Sequence, residues 1–234
     1  MKKERQEIIR KLIHTPKMSF NQLWNKSGES NNFAYHLKFL TEDGLISKED
    51  GFYSLTHEGK KLSGYLEGED GSRAKFPILT VVCIIKKDEK YLLSQRKKEP
   101  FYEYWGSISG KVKQTDYILE AAEQEIFEET GLKCDLELAG ILSSKTYNEN
   151  DLSFNHQMFI IKAENPVGEL IKETREGKNN NWFTIEEISK LNVIPSVPDT
   201  IKIADSKKFR WIEMDRLQED DKFIGKKILR DIEF

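Results

Sequence analysis

Three glutamates near the middle of the chain, Glu125, Glu128 and Glu129, stand at positions i, i+3 and i+4. On a helix that spacing projects all three carboxylates from one face. Crowded carboxylates make one another costlier to ionise, and a hard divalent cation such as Mg²⁺ or Mn²⁺ bound between them removes the cost. A solvated acidic helix face has the same composition, so the residues around the glutamates must decide between the two.

Those residues are ordered. Gly110 is followed after five residues by Asp116, after seven more by Gln124-Glu125-Ile126, and then by Glu128-Glu129 and Gly131-Leu132. This run resembles the Nudix box, G-x5-E-x7-R-E-U-x-E-E-x-G-U, in which U is a bulky aliphatic residue. Two positions depart from it: Asp116 stands where the family has Glu, and Gln124 where it has Arg. In the family those two residues pair to brace the loop-helix-loop, so a neutral amide facing a shorter acid implies a weaker brace. The metal-binding glutamates all match. The resemblance runs from about Phe76 to Leu191 and implies a mixed β sandwich flanked by helices. It also implies metal-dependent hydrolysis of a diphosphate linkage in a nucleoside diphosphate derivative. Glu125, Glu128 and Glu129 would hold Mg²⁺ or Mn²⁺ on the diphosphate and lower the pKa of an attacking water, and Glu125 or Glu176 would take its proton.

Further site residues follow from the same resemblance. Glu176, six residues before Trp182, matches the distal acid that approaches the metals. Arg96, at the end of an apolar run, stands where relatives place a phosphate-binding arginine. Tyr102, in the aromatic segment from Pro100 to Trp105, is the candidate for stacking a base. His156, a lone histidine at a strand start, could line a polar pocket but is more often surface at such a place, and is left out of the site.

The elements that must position these groups fall in two parts. Glu67 to Pro77 carries two glycines, a proline and alternating charges, and marks a boundary between residues 1–70 and 76–234. Beyond it, Ile78–Ile85 and Tyr91–Ser94 predict a buried hairpin, and residues 116–130 a helix. Leu136–Leu142, Gln157–Lys162 and Trp182-Phe183 predict strands, Thr184 opens a short helix, and Phe209–Leu217 with Phe223–Ile232 forms a C-terminal hairpin. The fold class is α+β.

Before the boundary, Ile8, Ile9, Leu12 and Ile13 predict a helix ending before Pro16, and Ser19 with Gln22 forms a capping box opening a second. Ser30 begins a third carrying Phe33, Leu37 and Leu40, stopped at Gly44. Lys48-Glu49-Asp50-Gly51 turns a hairpin, and Thr56 caps a fourth helix. This order resembles the winged helix-turn-helix domain of prokaryotic regulators. The resemblance implies a recognition helix from Ser30 to Leu40 presenting Asn31, Asn32, Tyr35, His36 and Lys38 to the major groove of double-stranded DNA. Glu42, Asp43, Glu49 and Asp50 oppose it by repelling phosphate, and the alternative is a protein-binding or dimerising winged helix. A second reading follows: a transcriptional regulator whose Nudix domain senses a nucleotide.

Composition bounds the rest. A net charge of −3 excludes a chain that coats nucleic acid nonspecifically. Cys83 and Cys134 signal neither a disulfide framework nor a zinc site. No apolar run approaches the roughly 18 residues of a membrane span, and the expected location is the cytoplasm. Winged-helix regulators and many Nudix enzymes are dimers, and the C-terminal hairpin could supply a sheet edge for a homodimer.

Overall fold

The computed structural model describes residues 2–24, 29–65, 76–97, 101–174, 178–220 and 222–234. The chain divides into two compact units, Met1–Phe76 and Pro77–Phe234.

In the first unit, α1 (Lys3–His14), β1 (Met18–Ser19), α2 (Phe20–Trp24) and α3 (Ser30–Glu42) precede β2 (Ile46–Glu49), β3 (Phe52–Leu55) and α4 (His57–Ser63). Local chemistry sets each boundary. The Ser19 amide donates to Gln22 Oε1 at 2.8 Å, and the Gln22 amide to Ser19 Oγ at 3.4 Å, closing the capping box ahead of α2. Gly44 ends the third helix region with φ of 70°, and Asp50 and Gly51, at 50° and 81°, turn the β2–β3 hairpin. Thr56 Oγ1 accepts from the Gly59 amide at 3.1 Å and starts α4. Ile8, Ile9 and Leu12 of α1 pack with Leu23, Leu37, Leu40, Ile46 and Tyr53 into one core.

The second unit contains β4 (Ile78–Lys87), β5 (Lys90–Gln95), β6 (Trp105–Gly106), β7 (Ile108–Lys111), α5 (Ile118–Thr130), β8 (Lys133–Asn148), β9 (Asp151–Val167), β10 (Asn179–Phe183), α6 (Ile185–Ile188), α7 (Val197–Ala204), β11 (Arg210–Glu219) and β12 (Lys222–Glu233). Its strands run in the order β10-β5-β4-β9-β8-β11-β12, with β6 on β5 and β7 on β4. The sheet is mixed, because β4 lies parallel to β9 and β8 parallel to β11. β4 and β5 pair only beside their turn, at Lys86↔Tyr91 and Lys87↔Lys90, so β5 branches away with β10 and β6.

β4 is apolar and buried from Val81 to Ile85 because both of its faces are covered there. Val81, Cys83 and Ile85 pack with Ala121, Ala122 and Ile126 of α5. Val82 and Ile84 belong to a second core with Val197, Ile201 and Ile203 of α7. The sequence reading lacks α7, where two prolines interrupt the pattern; Pro198 in fact lies in the first turn, where its missing N–H costs nothing. β8 and β9 extend well past their expected apolar centres into one long hairpin turned at Glu149, whose φ is 54°. No helix among the described residues is long and apolar enough to cross a membrane.

Candidate active site

α5 carries the glutamates, and its ends are built to aim them. Glu120 Oε2 accepts from the Tyr117 amide at 3.2 Å at the start. Gly131, with φ of 72°, closes the end, its amide donating to the Phe127 carbonyl at 2.9 Å. The buried Asn180 of β10 ties that end to the sheet, Nδ2 donating to the Glu129 carbonyl at 2.7 Å and the Ile171 carbonyl at 2.8 Å.

The three carboxylates differ in setting. Glu128 is exposed, while Glu125 and Glu129 are half-buried. The Glu125 carboxylate lies against Gly110: a Cβ at that glycine would stand 2.2 Å from Glu125 Oε2. The Glu129 carboxylate forms an ion pair with Lys178. Among the described residues, no three His, Cys, Asp or Glu side chains converge into a ready cation cage. Their chemistry nevertheless fits Mg²⁺ or Mn²⁺: hard oxygen donors along one helix face, with the Glu125 carboxylate seated where a side chain at position 110 would otherwise lie. The Glu129–Lys178 pair is what a bound cation would have to displace or share.

The brace between Asp116 and Gln124 does not form. Asp116 Oδ1 accepts from Thr115 Oγ1 at 2.8 Å instead, and Gln124 is exposed. Glu176 lies outside the described residues.

A cavity of about 410 Å³ opens beside the box, lined by Ser109, Gly110 and Lys111 and by Arg96, with Phe101 and Phe154 among its apolar walls. Arg96 is one of the basic residues in that lining. Tyr102, the sequence's candidate for stacking a base, is 49% exposed and not among the lining residues, whereas its neighbour Phe101 is. Phe101 adopts φ of 68° and Glu103 65°, and this left-handed turn reverses which aromatic faces inward.

His156 is a correction, because it lines the cavity together with Arg216, a residue the sequence reading overlooks. Arg216 Nη2 lies 3.4 Å from His156 Nδ1. A guanidinium can only donate, so Nδ1 accepts and the ring's proton sits on Nε2. Burial first, then the charges of Arg216 and Lys111, push the His156 pKa down to about 4. Burial alone brings Arg216 down to about 10. The signal was present in the alternation of Ile212, Met214, Arg216 and Gln218, which puts an arginine in a buried register.

The histidine has a measurable consequence. With a folded pKa near 4 and an ordinary value of 6.5, the unfolded chain binds the proton first. Stability is therefore full above about pH 6.5 and is lost as pH falls towards 4, by at most about 3 kcal/mol. His156→Gln should flatten that part of the urea-denaturation profile against pH; a variant as steep as the parent would show that His156 is not the group responsible.

On α3, Asn31, Asn32, Tyr35 and Lys38 are exposed, and Lys38 lies 3.7 Å from Glu42. His36 is a correction: only 4% exposed, it accepts from Arg5 Nε at 3.4 Å. Helical spacing places it beside Leu37 and Leu40 on the buried face, so it cannot read a base.

The fold and these groups define an α+β domain in which a loop-helix-loop carries three carboxylates on one helix, with Gly110, against which Glu125 packs, in the wall of a cavity of about 410 Å³. The chain belongs to the Nudix family, whose NUDIX domain matches residues 76–212. Residues 2–66 match a domain of unknown function, DUF7347. The ADP-ribose pyrophosphatase of Methanocaldococcus jannaschii is 31% identical over 116 residues, covering 49% of this chain and 66% of that protein, just under two thirds of its length. Among solved structures, a MutT protein from Bacillus halodurans gives a TM-score of 0.52 at 24% identity, covering 65% of this chain and 97% of the other. The NUDIX domain of Shewanella oneidensis NrtR, solved with ADP ribose, gives 0.50 at 18% identity, covering 64% and 97%. Both structural likenesses are of fold.

Proposed function

We propose that the second unit hydrolyses a diphosphate linkage in a nucleoside diphosphate derivative with Mg²⁺ or Mn²⁺. The observation that carries this is the placement of Glu125, against Gly110 on the box-side wall of the cavity. Glu125, Glu128 and Glu129 would hold the metal, which when bound would neutralise the diphosphate and acidify an attacking water. Glu125 is within one side chain of the cavity wall and is a candidate to accept the water's proton, with Glu176 the other candidate. Arg96 and Lys111 line the same cavity and stabilise phosphate charge. Lys178 holds Glu129 in place between turnovers. The relative named as an ADP-ribose pyrophosphatase supports the reaction class.

The purified protein should cleave at least one class among nucleoside triphosphates, ADP-ribose, nucleotide sugars and dinucleotides with Mg²⁺ or Mn²⁺, and lose that activity in chelator. Absence of cleavage across the panel would overturn the enzyme reading.

A second reading concerns the first unit. The helix order, the β2–β3 hairpin and the exposed Asn31, Asn32, Tyr35 and Lys38 support a winged helix-turn-helix that binds double-stranded DNA. Joined to a nucleotide-binding domain, it would make the chain a nucleotide-responsive regulator. Selection of genomic fragments on the protein should then return a shared sequence; a flat, salt-labile profile would count against it.

A further inference from the structure

We propose that Arg216 and His156 form the base-selecting end of the cavity and that they select a 6-oxopurine ring. The proposal rests on the reading of the cavity as a nucleotide site and adds which base it takes.

Arg216 is 3% exposed, lines the cavity, and has no carboxylate within ion-pair distance among the described residues. Its Nε is buried without a hydrogen-bond partner. The guanidinium carbon lies 5.7 Å and 5.9 Å from the ring centres of Phe101 and Phe223. A buried cation without a counter-charge is costly to hold, and its place in a cavity wall indicates that a ligand completes its hydrogen bonding.

The ligand's chemistry follows from the donors. His156 Nδ1 is occupied by Arg216, which leaves an N–H on Nε2, so both side chains offer donors. Phe101 and Phe154, packed edge to face on each other with ring centres 5.8 Å apart, give the same cavity an apolar wall that favours a flat ring over a bare phosphate dianion. A planar guanidinium fork facing a flat ring matches two adjacent acceptors on its edge. Guanine and hypoxanthine present O6 and N7 in that arrangement. Adenine presents an amino donor beside N7, which would face another donor.

The register explains how two distant residues meet. His156 of β9 is opposite Ser144 of β8, and Arg216 of β11 is opposite Thr146. β8 separates them, and its small buried residues there, Ser144 and Thr146, leave room for the arginine to cross. Arg216 and Phe223 both lie beyond residue 212, where the NUDIX match ends, so selectivity is supplied by the C-terminal hairpin.

Nucleoside 5′-monophosphates carry no anhydride and report binding without turnover. By calorimetry on the full chain with Mg²⁺, GMP and IMP should bind about tenfold or more tighter than AMP and 7-deaza-GMP, which lacks the N7 acceptor. Arg216→Met should erase the difference and Arg216→Lys keep part of it. Equal binding of all four, preference for AMP, or preference retained in Arg216→Met would overturn the proposal. So would cleavage of the substrate panel with no purine monophosphate binding. If Arg216→Met does not fold, the 7-deaza comparison on the parent and the lysine variant decide. Failure of the enzyme reading is seen separately, as base preference without hydrolysis of any anhydride.

Discussion

Replacing Glu128 by Gln should lower turnover by about a hundredfold or more while leaving the thermal transition where it was. Glu128 is the cleanest of the three carboxylates to test because its side chain is exposed on α5 and, among the described residues, no hydrogen bond or ion pair ties it to the core. Glu129→Gln would also break the ion pair with Lys178, and a change at Glu125 would alter packing against Gly110, so neither separates chemistry from structure. The loss at Glu128 should appear in kcat, with a rise in the Mg²⁺ concentration needed for half-maximal rate. Full activity in the variant would remove Glu128 from the metal site, and an equal loss of melting temperature would reassign it to folding.

That test is available because the box is a local feature. Its spacing lies within one loop and one helix, so sequence alone places Glu125, Glu128 and Glu129 on α5 and Gly131 at its end. The same holds for the Ser19–Gln22 capping box, the Asp50-Gly51 turn, and Thr184, whose Oγ1 accepts from the Glu187 amide at 3.2 Å ahead of α6. Each depends on partners a few residues apart.

The cavity was less legible, since its walls come from strands that are neighbours only through parallel pairing. Ile78 meets His156 across β4 and β9, and Thr146 meets Arg216 across β8 and β11; nothing in short-range periodicity sets those registers. His36 and His156 show the cost. Both are lone histidines whose setting sequence alone does not fix, because a polar residue's burial depends on a distant partner: Arg5 for one and Arg216 for the other. The choice between Phe101 and Tyr102 rested on a backbone turn at φ of 68°, which no residue type in that segment announces.

Gly140→Ala should then be among the most damaging single methyl additions in the second unit. Gly140 lies opposite Arg210 at the start of the β8–β11 pairing. A Cβ there would stand 2.1 Å from the Arg210 carbonyl oxygen and 2.7 Å from Ile203 Cγ2. The first obstacle is backbone, which cannot turn aside as a side-chain tip can, so the strand or the α7 contact must shift. The cost should reach about 3 kcal/mol, at the upper end for overpacking, and lower the melting temperature by about 5–10 °C. Gly225→Ala on β12, where an added Cβ meets nothing within 4 Å, is the control and should leave it nearly unchanged. Because β11 also carries Arg216, displacing its start would disturb the far wall of the cavity while the α5 glutamates keep their places. Gly140→Ala should therefore weaken purine monophosphate binding even at temperatures where the protein remains folded. A variant as stable as Gly225→Ala would mean that β11 does not approach β8 as closely as this register requires.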